Sequence, residues 1–253
     1  MMRTSNPALN EDVFRIEGAA TSDVMTVEGT AGKTMMLLGI VVVVAGIAWQ
    51  MVFPGLAGAG AVPSSCWGLI GVGSIGGLIV AMITIFKPNL APMTSPVYAA
   101  FEGLFLGAFS AVFEFMYPGI VPAAVLGTFG VMGTMLAAYK FRIIRATEKF
   151  KMGVVAATGG IALVFLVSIV MSMFTGSGLG IVHSTGWLGI GFSVFVVVIA
   201  ALNLVLDFDF IEMGALHGAP KYMEWYGAFG LLVTLIWLYI AILRLLAKLQ
   251  SRD

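Results

Sequence analysis

Charge is what this sequence has least of. Only 10% of its 253 residues are Asp, Glu, Lys or Arg, against roughly 25% in soluble domains. Because 60% are hydrophobic, the composition excludes a water-soluble globule and demands lipid as solvent. Thirteen bases and thirteen acids cancel, so no net field and no basic stripe offer a surface to nucleic acid. Cysteine is nearly missing. Cys66 stands alone, which excludes an internal disulfide and a thiolate metal site. His183 and His217 are the only imidazoles, too few for ordinary zinc chemistry, and no resident cofactor is called for. Residues 1–33 lack the basic start and short apolar core of a cleavable signal peptide. They read as a retained, polar, cytoplasmic arm.

What is present is apolar sequence in spanning lengths. Seven runs, 34–53, 67–86, 97–117, 122–139, 154–174, 188–206 and 226–246, are long enough to cross a hydrocarbon core of ~30 Å as helices. The expected fold is an all-α, polytopic, seven-helix membrane protein, with a transmembrane domain over 34–247 and a short polar tail over 248–253. The stretch YPGIV between the third and fourth runs is a turn signal that makes them an antiparallel hairpin. Counting alternate sides puts ten bases, Arg3, Arg15, Lys33, Lys87, Lys140, Arg142, Arg145, Lys149, Lys151 and Lys221, on one face. Arg244, Lys248 and Arg252 fall on the other. The positive-inside rule then gives a cytoplasmic N-terminus and an external C-terminus. A re-entrant segment is the alternative; it would put both termini inside and bring the basic tail into line. Gly73 and Gly77, and Gly103 and Gly107, are small residues four apart that let helix backbones approach closely in lipid. The sixteen methionines are scattered and read as apolar filler.

Four carboxylates fall within or at the edges of these runs: Glu102, Glu114, Asp207 and Asp209. Charges in such places usually face a partner or a cavity, which makes each a functional candidate. Glu114 lies near the outer end of its span and is read as reaching the headgroups. Glu102 lies one to two turns inside the cytoplasmic end of the same span, beside Gly103. Asp207 and Asp209 sit two positions apart, about 200° around a helix, so they cannot face one interior. Asn203 precedes Asp207 by four, and an Asn–Asp face on an apolar helix is expected to point into the bundle. Asp207 is then the buried carboxylate and Asp209 an interfacial one, with Glu212 continuing into the loop. The bland alternative is that both aspartates mark the cytoplasmic end of the helix. Inferred depth places Glu102 level with Asp207, as a second acid.

RTSNPAL, MTVEG with Lys33-Thr34, YAAFEGLFLGAFS, YPGIVPAAVLGTF, ALNLVLDFDFIEMG and GAPKYMEWYGAFGLLVTLIWLY together resemble the bacterial YccA-like branch of the Bax inhibitor family. The resemblance covers nearly the whole chain. It implies a seven-helix bundle with a central last helix wrapped by the other six, in the bacterial inner membrane. It also implies a pH-sensitive calcium leak gated by an aspartate pair from helices six and seven. Asp207 matches the helix-six member. The seventh run contains no carboxylate, and Thr234 stands where the second aspartate belongs. Glu102 is accordingly expected to supply the missing acid, with Asp207 and Glu102 as weak calcium candidates and calcium as transported ion.

Two function classes remain open. One is a cation leak through Asp207, Glu102, Asn203, Asp209 and Thr234. The other is a non-conducting regulator whose polar arm binds a membrane protease or another membrane partner, beyond the lipid bilayer itself. The oligomeric state is not legible. An enzyme is not expected: no GxGD or GxSG pattern occurs, and no lysine lies within the last run for a Schiff base.

Overall fold

Each apolar run forms a helix, and most helices outlast their run. The computed structural model describes residues 24–59, 62 and 64–251. It contains α1 (Val27–Ala59), α2 (Ser64–Phe86), α3 (Ala91–Met116), α4 (Ile120–Lys140), α5 (Glu148–Thr175), α6 (Trp187–Leu216) and α7 (Met223–Gln250). A 3-10 turn at Pro88–Leu90 and a helical turn at Gly180–His183 complete the connections. All seven helices are long and apolar enough to cross a membrane.

Backbone groups in lipid have only each other to bond, so a helix continues until polar sequence can turn it. Three consequences bear on the site. α1 starts at Val27, which takes Lys33 out of the expected arm and into the bundle. α6 runs on to Leu216, so Asp207, Asp209 and Glu212 all lie on the helix and do not mark its end. α7 reaches Gln250, so Lys248 belongs to the bundle and not to a tail. Residues 1–23 of the expected arm and 252–253 of the tail lie outside the described residues.

α7 is the centre of the bundle. Leu232, Leu238 and Leu243 along it have no exposed surface, and it packs directly against α1, α3, α4 and α6. α2 lies one layer out on α3, and α5 one layer out on α6. The last helix is therefore central, but four helices touch it closely and not six. Apolar side chains of the outer helices, such as Met35, Val43, Leu78 and Leu163, are exposed, as expected of faces solvated by lipid tails.

The α1–α3 contact depends on missing side chains. A Cβ at Gly103 would lie 2.9 Å from the Val41 carbonyl oxygen, and one at Gly107 would lie 2.8 Å from the Ala45 Cα. The hairpin between α3 and α4 turns as its sequence demands. Gly119 adopts φ 85°, the conformation required at the third position of a type II turn after proline. The turn closes with Ile120 N donating to the Tyr117 carbonyl at 3.2 Å.

Candidate functional site

α6 carries Asn203, Asp207, Asp209 and Glu212 on the half nearer the α6–α7 connection. A helix advances about 100° per residue, so Asp207 and Asp209 must diverge. Asp207 turns towards α7, where the Thr234 hydroxyl lies beside its carboxylate. That hydroxyl also reaches back to the Gly230 carbonyl, 3.3 Å away. One carboxylate oxygen of Asp207, Oδ2, is buried and has no hydrogen-bond partner. An unpartnered buried acceptor costs on the order of 1–3 kcal/mol, more when charged.

Asp209 turns to the opposite side. Its Oδ2 pairs with Lys151 Nζ of α5 at 2.9 Å, and the Tyr139 hydroxyl oxygen of α4 lies 3.5 Å from its Oδ1. The same hydroxyl donates to Glu212, which is helical and not in the loop where it was expected. Asp209 and Glu212 thus tie α4 and α5 to α6 near one end of the bundle.

Asn203 and Asp207 do not share one environment. Asn203 Nδ2 donates to Thr158 Oγ1 of α5 at 2.9 Å and to the Ile199 carbonyl at 2.8 Å. Four residues overshoot a full turn by about 40°, enough at this crowded helix to send one side chain to α5 and the other to α7. The polar face expected to point inward as a unit is divided.

Glu102 does not meet Asp207. The Tyr98 hydroxyl, one turn back on α3, lies beside Glu102, which lies over Gly77 of α2, where a Cβ would come within 2.9 Å of Oε1. α3 and α6 share no packed interface, because α7 stands between them. Similar depth therefore does not bring the two acids together, and the expectation that Glu102 replaces the missing aspartate is corrected. Nor do Asp207 and Glu102 assemble a calcium site: no group of three or more His, Cys, Asp or Glu side chains gathers among the described residues. Glu114, read as reaching for headgroups, accepts from Gly119 N at 2.6 Å and Val121 N at 3.0 Å. It satisfies backbone donors at the start of α4, where a negative charge is favoured.

One site was missed in the sequence. Glu224, in the first turn of α7, is completely buried. Its Oε1 accepts from Thr26 N at 2.9 Å, Thr26 Oγ1 at 2.8 Å and Lys221 Nζ at 2.9 Å. Its Oε2 pairs with Lys33, whose ammonium also lies 5.5 Å over the Trp225 ring. The segment before α1 is strapped down around it. Met25 N donates to the Ala219 carbonyl at 2.7 Å, Val24 forms a bridge with Pro220, and the Met25 side chain is buried. Gly29 leaves room for the carboxylate, which occupies the space a Cβ would need. The missed signal lay in three separate stretches, MTVEG, Lys33-Thr34 and GAPKYMEW, which converge here. Glu224 fell outside the run starting at 226, and so was never counted among the buried acids.

Compared with known proteins, the chain matches the family model described as Bax inhibitor 1 like over residues 6–251. No curated protein and no solved structure matches it.

Proposed function

Because the chain belongs to the Bax inhibitor 1 like family, we propose that this multi-pass membrane protein is a pH-sensitive leak pathway for calcium, with Asp207 as its proton-sensitive carboxylate. The bacterial YccA-like branch and the inner membrane, with the N-terminus cytoplasmic and the C-terminus external, are part of the same reading. The observation that carries it is the unpartnered Oδ2 of Asp207 at the α6–α7 interface. A carboxyl group in that position has two ways to be satisfied. Protonated, it is neutral and the interface closes dry around it with Thr234 alongside. Ionised, it needs water or a cation, since no charged side chain pairs with it among the described residues. Proton occupancy thereby couples to hydration of the interface.

Thr234 in place of a second acid has a definite consequence. One carboxylate and one hydroxyl are far short of the six to eight oxygens calcium prefers. The site favours transit of a hydrated ion over residence. Calcium flux into proteoliposomes, followed across acidic to neutral pH, tests the reading. Asp207→Asn is expected to abolish the pH dependence, and Thr234→Asp to steepen it by creating an acid pair. Glu102→Gln, at the α2–α3 contact, is expected to leave it unchanged. Retention of wild-type pH dependence by Asp207→Asn overturns the proposal. Absence of flux at every pH, with a membrane protease recovered after crosslinking, supports the non-conducting regulator instead.

A further inference from the structure

The bundle end away from Glu224 contains a second polar arrangement that the leak does not use. α5 packs mainly on α6 and meets α7 only through a few side chains, and the space between its outer half and α7 is a cavity of about 550 Å³. This lies within the roughly 300–1,000 Å³ usual for small-molecule sites. Its walls are aromatic, with Phe109 of α3, Phe165 of α5, Phe192 of α6 and Trp237 of α7. Arg244 and Lys248, one turn apart on α7, complete the lining.

Neither cation has an acidic partner among the described residues. The Arg244 guanidinium lies 5.7 Å over the Phe165 ring. Lys248 uses one of its three donors on the Gly189 carbonyl, at 3.0 Å. Acids on the neighbouring helices are committed elsewhere. Glu114 of α3 bonds the α4 turn, and Asp209 and Glu212 of α6 lie with Tyr139 near the opposite end of that helix. These two bases are also among the three that depart from the one-sided distribution of Lys and Arg. Cations placed against the positive-inside tendency, in an apolar cavity and without counter-charge among the described residues, call for an anion.

We propose that this cavity binds an anionic phospholipid, with its phosphate between Arg244 and Lys248 and an acyl chain against Phe165 and Trp237. A small inorganic anion would leave the aromatic walls unfilled. A neutral lipid would leave the two cations unpaired. Ile169, which lines the cavity and is 58% exposed on the lipid-facing side of α5, marks the entry. The proposal stands independently of calcium flux.

Lipid retained by the purified full chain after extensive detergent exchange, quantified by mass spectrometry, provides the test. Dioleoyl phosphatidylglycerol, dioleoyl phosphatidylcholine and inorganic phosphate are then compared as thermal stabilisers. Phosphatidylglycerol is expected to be retained and to stabilise, and the Arg244→Gln/Lys248→Gln variant to lose about tenfold in its retention, the loss of charge-assisted bonds to phosphate. Ile169→Trp, which keeps both charges but fills the entry, is expected to lose it too. Arg244→Lys keeps a cation and should retain it, which separates recognition from misfolding, and Lys140→Gln at the other end should have no effect. Equal retention by wild type and the double variant overturns the proposal, as does loss in Arg244→Lys matching that in the glutamine variant. Stabilisation by inorganic phosphate equal to that by phosphatidylglycerol overturns the acyl-chain assignment.

Discussion

Replacing Glu224 by glutamine isolates the charge of a fully buried carboxylate. Glutamine keeps the size and one acceptor oxygen, so the bonds from Thr26 N and Thr26 Oγ1 can persist. What disappears is the counter-charge to Lys33 and Lys221, whose side chains are 17% and 44% exposed. Removing one partner of a buried ion pair costs about 3–5 kcal/mol. Lys221 already reaches water, and Lys33 keeps part of its solvation and its place over Trp225. The lower end therefore applies, about 3 kcal/mol. For a chain of this length that corresponds to a fall in Tm of about 6–12 °C. Lys221→Gln breaks only a half-exposed pair and should cost about 1 kcal/mol or less. Thermal unfolding in detergent, read beside the rate of proteolysis at Met25 and Thr26, checks both. A Glu224→Gln variant within about 1 kcal/mol of wild type, or one no weaker than Lys221→Gln, would refute the view that this carboxylate fixes the strap.

Gly107→Leu should be among the most damaging substitutions in the chain, because its Cβ alone would lie 2.8 Å from the Ala45 Cα. Backbone on both sides leaves nothing to repack, so the cost exceeds the usual 1–3 kcal/mol of overpacking; monodisperse yield on size exclusion should collapse, and wild-type yield would contradict the α1–α3 contact. Asp209→Asn removes the partner of Lys151, which keeps Glu148 at 3.4 Å, so a loss of about 1 kcal/mol is expected. A double-mutant cycle with Lys151→Met measures the coupling directly, and a coupling near zero would show that the pair holds nothing together.

Which parts of the site were legible follows from which geometry a sequence carries. Asp207 and Asp209 separate on the helix because 100° per residue is a local property, and the structure turns them to α7 and to α4–α5. The meeting of Thr234 with Asp207 was reachable only through resemblance, since nothing local relates a residue on α7 to one on α6. The Glu102 pairing failed for the complementary reason. Distance along a helix gives depth in the bilayer, but which neighbour a side chain faces depends on where each helix stands around α7, and Glu102 faces Gly77. Glu224 was missed because the apolar runs underestimate the helices: the last run starts at 226, whereas α7 starts at Met223.

The sequence by itself determined that there are seven spans, since apolar segments of that length in lipid can satisfy their backbones only as helices. It also determined the α3–α4 turn, through Pro118 and Gly119, and that the glycine faces of spans two and three allow close helix contact, while the structure supplied the partners, α3 with α1 and with α2. Only the tertiary structure decided that α7 is contacted by four helices, that Lys33 and Lys221 converge on Glu224, and that Arg244 and Lys248 share a cavity with the aromatic side chains of α3, α5 and α6. Within lipid most helix faces are apolar enough to be outermost. Which face turns inward is settled by the fit between helices and by where the few polar groups find partners.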